Sequence, residues 1–228
     1  MQPWDKIVEQ YSLQDMALPS DKLVALSAVA QTYSQSALQY GTYLAGLWKE
    51  TMPNSLMWFV PRGSARCRPD VYRAPSWSWA SINSPVFSGG RLENLLWSFP
   101  HFDPEVILAD ATPAVEGFPF GAVVAGTLIL DARTRRFSVR EIGKAAGWLQ
   151  VVDGPRLSVW EDTDDFWNLM STDDTVCMLV HMGYRELDGY EEFSGLILVK
   201  AGNNHWRRVA VCQHNCLAFS AKEHITIV

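Results

Sequence analysis

The sequence predicts an α+β protein in which N-terminal helices pack on a β-rich, mostly antiparallel body shaped like a barrel or a sandwich. Apolar residues recur at helical spacing within residues 1–50, and in short runs between turn residues over 70–228. The 228 residues are 48% hydrophobic and 19% charged, which is typical of a packed core and not of disorder. We therefore expect one domain over residues 1–228.

The helical pattern predicts three short helices. They cover residues 3–12, the stretch from a cap at Ser20 or Asp21 to about Ser34, and residues 42–49. Two apolar stripes carry this prediction, namely Trp4, Ile7, Val8 and Tyr11, and then Leu23, Leu26, Ala30 and Tyr33. Because apolar residues are most often buried, both stripes are expected to face the core.

Residues 72–81 read Tyr-Arg-Ala-Pro-Ser-Trp-Ser-Trp-Ala-Ser. Pro75 fixes its own φ and biases the preceding residue towards an extended conformation. Polar and apolar residues then alternate, which predicts a strand with the indoles of Trp77 and Trp79 on one face. Two interpretations of this face stay open: the indoles start a core, or they line a pocket for an apolar ligand.

Short apolar runs predict a series of strands after this segment. They lie near residues 106–114, 121–130, 148–152, 176–184, 194–200, 206–212 and 225–228. The tight connections between them are marked by Asp153-Gly154, Asp188-Gly189 and Gly202-Asn203. Such spacing favours an antiparallel sheet curled into a barrel or sandwich.

A loop rich in Arg, Gly and Pro is predicted over residues 61–69. It carries Arg62, Arg66 and Arg68. Arginine offers bidentate geometry to carboxylate or phosphate, so the loop is either a solvated basic segment or an anion clamp.

The net charge of −6 argues against nucleic acid and against an anionic membrane surface as partner. No apolar run reaches the roughly 18–20 residues that span a bilayer. The N-terminus has neither a basic segment nor an apolar one, so no secretory signal is visible and a cytoplasmic location is expected.

The cysteines are Cys67, Cys177, Cys212 and Cys216, and in that location we expect reduced thiols. Cys212-Gln-His-Asn-Cys216 holds one ligand pair, whereas structural zinc needs four ligands. No phosphate-binding loop, dinucleotide fingerprint or nucleophile elbow is present. The sequence therefore predicts neither a metal nor a cofactor.

The segment 72–81 resembles the most recognisable block in the C-terminal half of fungal heterokaryon-incompatibility (HET) proteins. Other blocks resemble that family in the same order along the chain. They are W-x-x-I-V-x-x-Y from Trp4, S-D-K-L-V-A-L-S-A-V-A from Ser20, Y-L-A-G-L-W from Tyr43, residues 195–199, and W-R-R-V-A-V from Trp206. The ordered set spans almost the whole chain.

Two departures accompany the resemblance. Relatives usually follow the tryptophan pair with Asp-Gly, whereas here Ile82-Asn83-Ser84-Pro85 follow. The family's N-terminal blocks, which belong to a TIR-like signalling region with death-inducing activity, are missing from this sequence. The resemblance implies a free-standing version of the C-terminal half.

Two functions from different classes are expected. The resemblance and the missing region imply an enzyme of fungal secondary metabolism, namely a cofactor-independent cyclase (a pericyclase of the Diels–Alder type) acting on an apolar terpenoid or polyketide. A pericyclic closure moves no obligatory proton, which suits a sequence without a recognisable acid–base set. The alternative is a non-catalytic recognition module, derived from an incompatibility protein, that binds a protein partner.

The candidate site residues follow from the ten tryptophans, ten phenylalanines and seven tyrosines of the chain. The residues predicted to contact an apolar substrate are Trp77, Trp79, Trp48, Trp58 and Tyr43. A hydrogen-bond donor aimed at a substrate carbonyl would stabilise developing charge. Arg73, Asn83 and His101 are the candidates for that donor, and the sequence does not choose among them.

Overall fold

The computed structural model of the chain describes residues 3–14, 16, 18–35, 41–64, 67–88, 101–172, 175–187, 190–215 and 218–228. The described residues form a few helices, mostly N-terminal, and a large, mostly antiparallel β-sheet, which confirms the α+β class. The α-helices are α1 (Pro3–Ser12), α2 (Lys22–Ser34) and α3 (Phe166–Met170).

The strands of the described residues belong to a small hairpin and a large sheet. The hairpin pairs β1 (Tyr43–Leu44) with β2 (Leu47–Trp48). The large sheet contains β3 (His101–Phe102), β4 (Glu105–Pro113), β5 (Val123–Phe137), β6 (Val139–Gly143), β7 (Trp148–Val151), β8 (Arg156–Glu161), β9 (Cys177–Leu187), β10 (Tyr190–Lys200), β11 (His205–His214) and β12 (Lys222–Ile227).

The long strands of the large sheet close on themselves. Their order is β10-β9-β5-β12-β11-β8-β7-β6, with β3 paired to β9 and β4 to β5. β10 also pairs with β11, so that β10, β9, β5, β12 and β11 form a ring of five strands. Within the described pairings, only β11 and β12 run parallel, which agrees with the predicted mostly antiparallel, barrel-like body.

Both faces of the central strands are covered. Along β10, Leu196 and Leu198 point into a first core, whereas Ile197 and Val199 point into a second. The first core joins α1, α2 and residues 72–81, here called the tryptophan segment, to one face of the sheet. The second joins α3, β7 and β8 to the other. Because both faces of these strands are buried, their sequences are continuous runs of apolar residues.

The predicted helix over residues 42–49 is wrong, because this stretch is the β1–β2 hairpin. Its turn residues Ala45 and Gly46 have φ values of 47° and 99°, a left-handed conformation that an α-helix does not contain. A Cβ on Gly46 would lie 2.7 Å from Nε1 of Trp79. The glycine therefore serves the close approach of an indole, and the helical expectation for residues 1–50 holds only as far as α2.

The predicted tryptophan strand is also wrong. Residues 76–78 form a turn, and a 3₁₀-helix follows over Trp79–Ser81. Ser78 caps this helix, because its Oγ accepts the N–H of Ala80 at 3.0 Å. Serine at a helix start satisfies a backbone donor that would otherwise be unpaired, and this local bond outweighs the period-two alternation. The predicted cap of α2 is not formed either, since Asp21 makes no side-chain capping bond.

Candidate functional site

The five aromatic residues predicted to contact substrate belong to the first core. Trp48, Trp77 and Trp79 are fully buried, and Trp58 and Tyr43 are 4% and 6% exposed. Their indoles brace backbone: Trp79 Nε1 donates to the Gly46 carbonyl and Trp58 Nε1 to the Trp77 carbonyl, each at 2.9 Å. They do not line the cavities described near α1, near α3 or near β12. An aromatic-walled pocket for an apolar substrate stays a prediction.

The structure brings two of the three predicted donors together. The Arg73 Nη1 donates to Oδ1 of Asn83 at 2.7 Å. His101 lies elsewhere, at the start of β3 beside Tyr184 of β9, and its side chain is outside the described part. The juxtaposition of Arg73 and Asn83 therefore marks one place on the molecule, at the junction of the tryptophan segment with α2.

Arg73 ties that junction together with three further hydrogen bonds. Its guanidinium donates to the carbonyls of Ala80 and Pro19 at 2.6 Å each, and to the carbonyl of Ile82 at 2.7 Å. The residue is only 7% exposed. Burial lowers the pKa of Arg73 from its usual value, yet an arginine stays protonated in proteins. A permanent positive charge is thus fixed at this point.

A second cation, which the sequence did not single out, lies against the first. Lys22 is the first residue of α2 and is 5% exposed. Its Nζ donates to the Ile82 carbonyl at 2.7 Å, the same oxygen that Arg73 binds, and lies 5.1 Å from the centre of the Trp79 ring. Within the described part of the chain, neither Lys22 nor Arg73 forms an ion pair with a carboxylate.

The surroundings of Lys22 favour its neutral amine. Burial lowers the pKa of Lys22 to about 7, and the charge of Arg73 acts in the same direction. The amino end of a helix carries partial positive charge, which disfavours a cation there as well. Amine and ammonium are consequently present in comparable amounts at neutral pH, whereas an ordinary lysine is almost wholly ammonium.

Both cations line a cavity of about 180 Å³. The other lining residues are Tyr11, Ser12, Gln14, Met16, Pro19 and Asn83. Tyr11 fixes the entry of α2, because its hydroxyl donates to the Lys22 carbonyl at 2.7 Å. Burial raises the pKa of Tyr11, so this group stays a hydroxyl at neutral pH. The cavity thus combines an amine, a hydroxyl, an amide and a fixed cation.

The predicted basic loop over residues 61–69 is held to the body by its arginines. Arg62 donates to the carbonyls of Ala146 and Gly147 at 2.8 and 3.3 Å. Arg68 donates to the Arg208 carbonyl at 3.2 Å. Arg66 lies outside the described residues. Nη2 of Arg68 also lies 3.9 Å from Oδ2 of Asp162, so the described arginines of this loop are bound by the body of the protein itself.

The described residues also bear on metal binding and on the thiols. They contain no group of three or more His, Cys, Asp or Glu side chains placed to hold a metal ion. Cys67, Cys177 and Cys212 are free thiols, and Cys216 lies outside the described residues. Among the described helices, none has the length and apolarity that a bilayer crossing requires.

Comparison with family models, with curated proteins and with solved structures finds no match for this chain. The resemblance to HET proteins therefore stays a prediction, and the site has to be interpreted from its own chemistry.

Proposed function

We propose that this protein is a cofactor-independent enzyme that uses Lys22 as an amine nucleophile on a small oxo acid. The observation that supports the proposal most is a buried lysine that lines a cavity beside a second buried cation, with no described carboxylate to neutralise either. Desolvation and a neighbouring cation are the two means by which enzymes activate lysine for imine formation. A cleft that holds such a perturbed group is a candidate for catalysis.

The proposed step is the formation of an imine. The lone pair of the Lys22 amine attacks the carbonyl carbon of the ligand, and the carbonyl electron pair moves to oxygen. One proton passes from nitrogen to that oxygen, which gives a carbinolamine. A proton taken up from solvent then protonates its hydroxyl, which leaves as water and gives a C=N iminium, so one proton is consumed and one water forms for each ligand bound. The iminium draws electrons from the adjacent carbon and weakens its bonds.

A carboxylate on the ligand suits the charge of the site. Lys22 and Arg73 both bind the Ile82 carbonyl, and an anion there would relieve their mutual repulsion. The 180 Å³ of the cavity corresponds to about six waters at roughly 30 Å³ each. This volume favours a ligand of few atoms over a polyene, since pockets for larger ligands measure about 300–1,000 Å³.

The cyclase and the recognition module expected from the sequence remain separate candidates. The imine mechanism keeps the expected class of a cofactor-independent enzyme and changes its substrate from an apolar polyene to a small polar acid. The two enzymatic candidates differ in their dependence on the amine, because a pericyclic closure needs no nucleophile. Turnover of a polyene by Lys22→Met at the wild-type rate would favour the cyclase.

The test is reductive trapping. The protein is incubated with pyruvate as the probe, sodium borohydride is added, and the modified peptide is identified by mass spectrometry. We expect a covalent adduct on Lys22 in the wild type and none there in Lys22→Arg, which keeps the charge but lacks a nucleophilic amine. Lys6, an exposed lysine of α1, supplies the matched control through Lys6→Arg, which should trap normally.

The outcome that contradicts the proposal is equally definite. An adduct that forms on exposed lysines to the same extent as on Lys22, or that persists unchanged in Lys22→Arg, would mean that the site confers no reactivity. Circular dichroism of each variant separates this result from a loss of folding.

A further inference from the structure

The hairpin formed by β4 and β5 exposes apolar side chains to an unusual extent. Of the thirteen large hydrophobic residues exposed in the described part, five belong to this hairpin and its loop. They are Ile107, Leu108, Val115, Phe118 and Val124. Exposed apolar residues concentrated on one element of a protein mark a site of interaction more often than scattered single residues do.

One edge of the same hairpin has no partner among the described strands. Among the described strands, β4 pairs only with β5, over the register from Glu105 opposite Asp131 to Pro113 opposite Val123. The other side of β4 therefore presents backbone N–H and C=O groups that an additional strand can bind. Side chains on such an edge decide which strand is accepted.

The part of the hairpin in which β4 pairs with β5 carries only negative charge, whereas the end of β5 beyond it contains Arg133, Arg135 and Arg136. Residues 102–132 contain five acidic residues and neither lysine nor arginine. Asp103 and Asp131 lie within 3.6 and 4.0 Å of Arg133 and His224. Three other carboxylates are exposed and form no ion pair with the described residues. They are Glu105, Asp110 and Glu116.

This charge distinguishes between the possible occupants of the edge. A second copy of the chain would bring the acidic β4 strands against each other, and like charges on paired strands are destabilising. Acidic edge residues thus prevent self-association. They attract a strand of opposite charge, and complementary charge both guides encounter and selects the partner.

We infer that the open edge of β4 binds an extended segment of another protein in which basic residues alternate with apolar ones. Backbone hydrogen bonds to β4 supply the pairing. By the register with β5, Glu105, Leu108 and Asp110 share the exposed face of β4, where the two carboxylates contact the basic positions and Leu108 packs on their aliphatic stems. The apolar positions lie on the opposite face, beside Val106 and Ala109. This surface is independent of the Lys22 cavity and gives the recognition module expected from the sequence a definite kind of partner.

The experiment uses the whole chain and defined peptides. The probe is a blocked nine-residue peptide that alternates lysine with valine and isoleucine, and its binding is measured by fluorescence anisotropy. Two comparison peptides are used: one has glutamate in place of lysine, and one has N-methyl groups on alternate backbone nitrogens. We expect the basic peptide to bind at least about tenfold more tightly than either, and to weaken with added salt.

A pair of variants locates the surface. Glu105→Lys with Asp110→Lys should reverse the preference between the basic and the acidic peptide. Glu141→Lys with Glu191→Lys changes the net charge equally at exposed positions on other strands, and it should leave the preference as in the wild type. If both variants change the peptide preference equally, or if the N-methylated peptide binds as tightly as the basic one, the binding is due to general charge attraction alone. Either result, or no binding, overturns the inference.

Discussion

Two buried cations of this protein lie in opposite electrostatic settings. Arg208 of β11 is fully buried and binds Asp162 through two N–H···O bonds of 3.2 Å each. It also donates to the Leu56 and Trp58 carbonyls and stacks 3.4 Å from the Trp58 ring centre. The ammonium group of Lys22 contacts the Ile82 carbonyl and the Trp79 ring, and no described carboxylate pairs with it. Each of the three guanidinium nitrogens of Arg208 donates a hydrogen bond, so this charge stabilises the fold. Lys22 has no described counter-ion, which is why we propose it as the reactive group.

The largest loss of folding stability is expected when Arg208 loses its counter-ion. Asp162→Asn leaves the Arg208 guanidinium buried without a negative charge, and breaking a buried pair in this way costs about 3–5 kcal/mol. Arg208→Met should destabilise as well, because the Leu56 and Trp58 carbonyls lose their donor. Urea unfolding measures both free energies.

The double variant sharpens this prediction. Asp162→Asn combined with Arg208→Met removes the pair together, so we expect it to lose less stability than the two single variants summed. Strict additivity would contradict the claim that the two side chains act as a pair.

Replacement of Lys22, the cation without a described counter-ion, should increase the folding stability. Lys22→Met removes a charge that folding desolvates, and we expect a gain of about 1–3 kcal/mol at pH 6. The pKa of Lys22 is lowered from 10.5 to about 7. The unfolded chain thus binds the extra proton between those values, and wild-type stability rises with pH across that window.

The pH dependence gives this prediction its control. The advantage of Lys22→Met should be full below pH 7 and should shrink towards pH 10.5, whereas Lys6→Met, at an exposed position, should follow the wild type throughout. A destabilised Lys22→Met at pH 6 would show that the lysine is a structural donor after all.

A smaller change in folding stability is expected at acid pH from His214, a buried histidine that stays neutral. His214 stacks on Phe193 with ring centres 5.3 Å apart, and neither ring nitrogen has a partner among the described residues. Burial lowers its pKa to about 3, and the charges of His181 and Arg135 act in the same direction. Unfolding at acid pH therefore takes up a proton, and stability is lost as pH falls from about 6.5 towards 3.

His214→Phe tests whether this imidazole takes up the proton. The phenyl ring can keep the stacking on Phe193, so the variant should be about 1 kcal/mol less sensitive to acid between pH 7 and pH 5. His205→Phe, at an exposed position of β11, serves as the control and should keep the wild-type pH profile. An unchanged acid sensitivity in His214→Phe would place the proton uptake elsewhere.

Much of the fold could be predicted because it is encoded locally. The helical stripe of α1 and most of the long strands lie where apolar periodicity places them. β6 and β8 escaped prediction, since Val139–Gly143 and Arg156–Glu161 mix charged and apolar residues. The predictions for the β1–β2 hairpin and for the tryptophan segment were wrong for another reason. Gly46 and Ser78 act through tertiary contacts and a cap, which outweigh periodicity.

The candidate site could be predicted only in part. Arg73 and Asn83 stood out because they flank the tryptophan pair in sequence. Lys22 did not, because a lysine after an aspartate at a helix start is expected to be exposed. Its burial depends on Ile82, sixty positions away. The absence of a described counter-ion is likewise a property of the folded arrangement, and no spacing in the sequence signals it.

Titration of Lys22 itself is the sharpest test of an amine that is partly neutral at pH 7. The protein is labelled with ¹³C at lysine Cε, and the resonance missing from Lys22→Met identifies the residue. We predict that this resonance titrates with a midpoint near pH 7, far below the value of about 10.4 for a lysine side chain in water. A Lys22 resonance that titrates near pH 10.4 would contradict this prediction, since the lysine would then be an ordinary ammonium group at neutral pH.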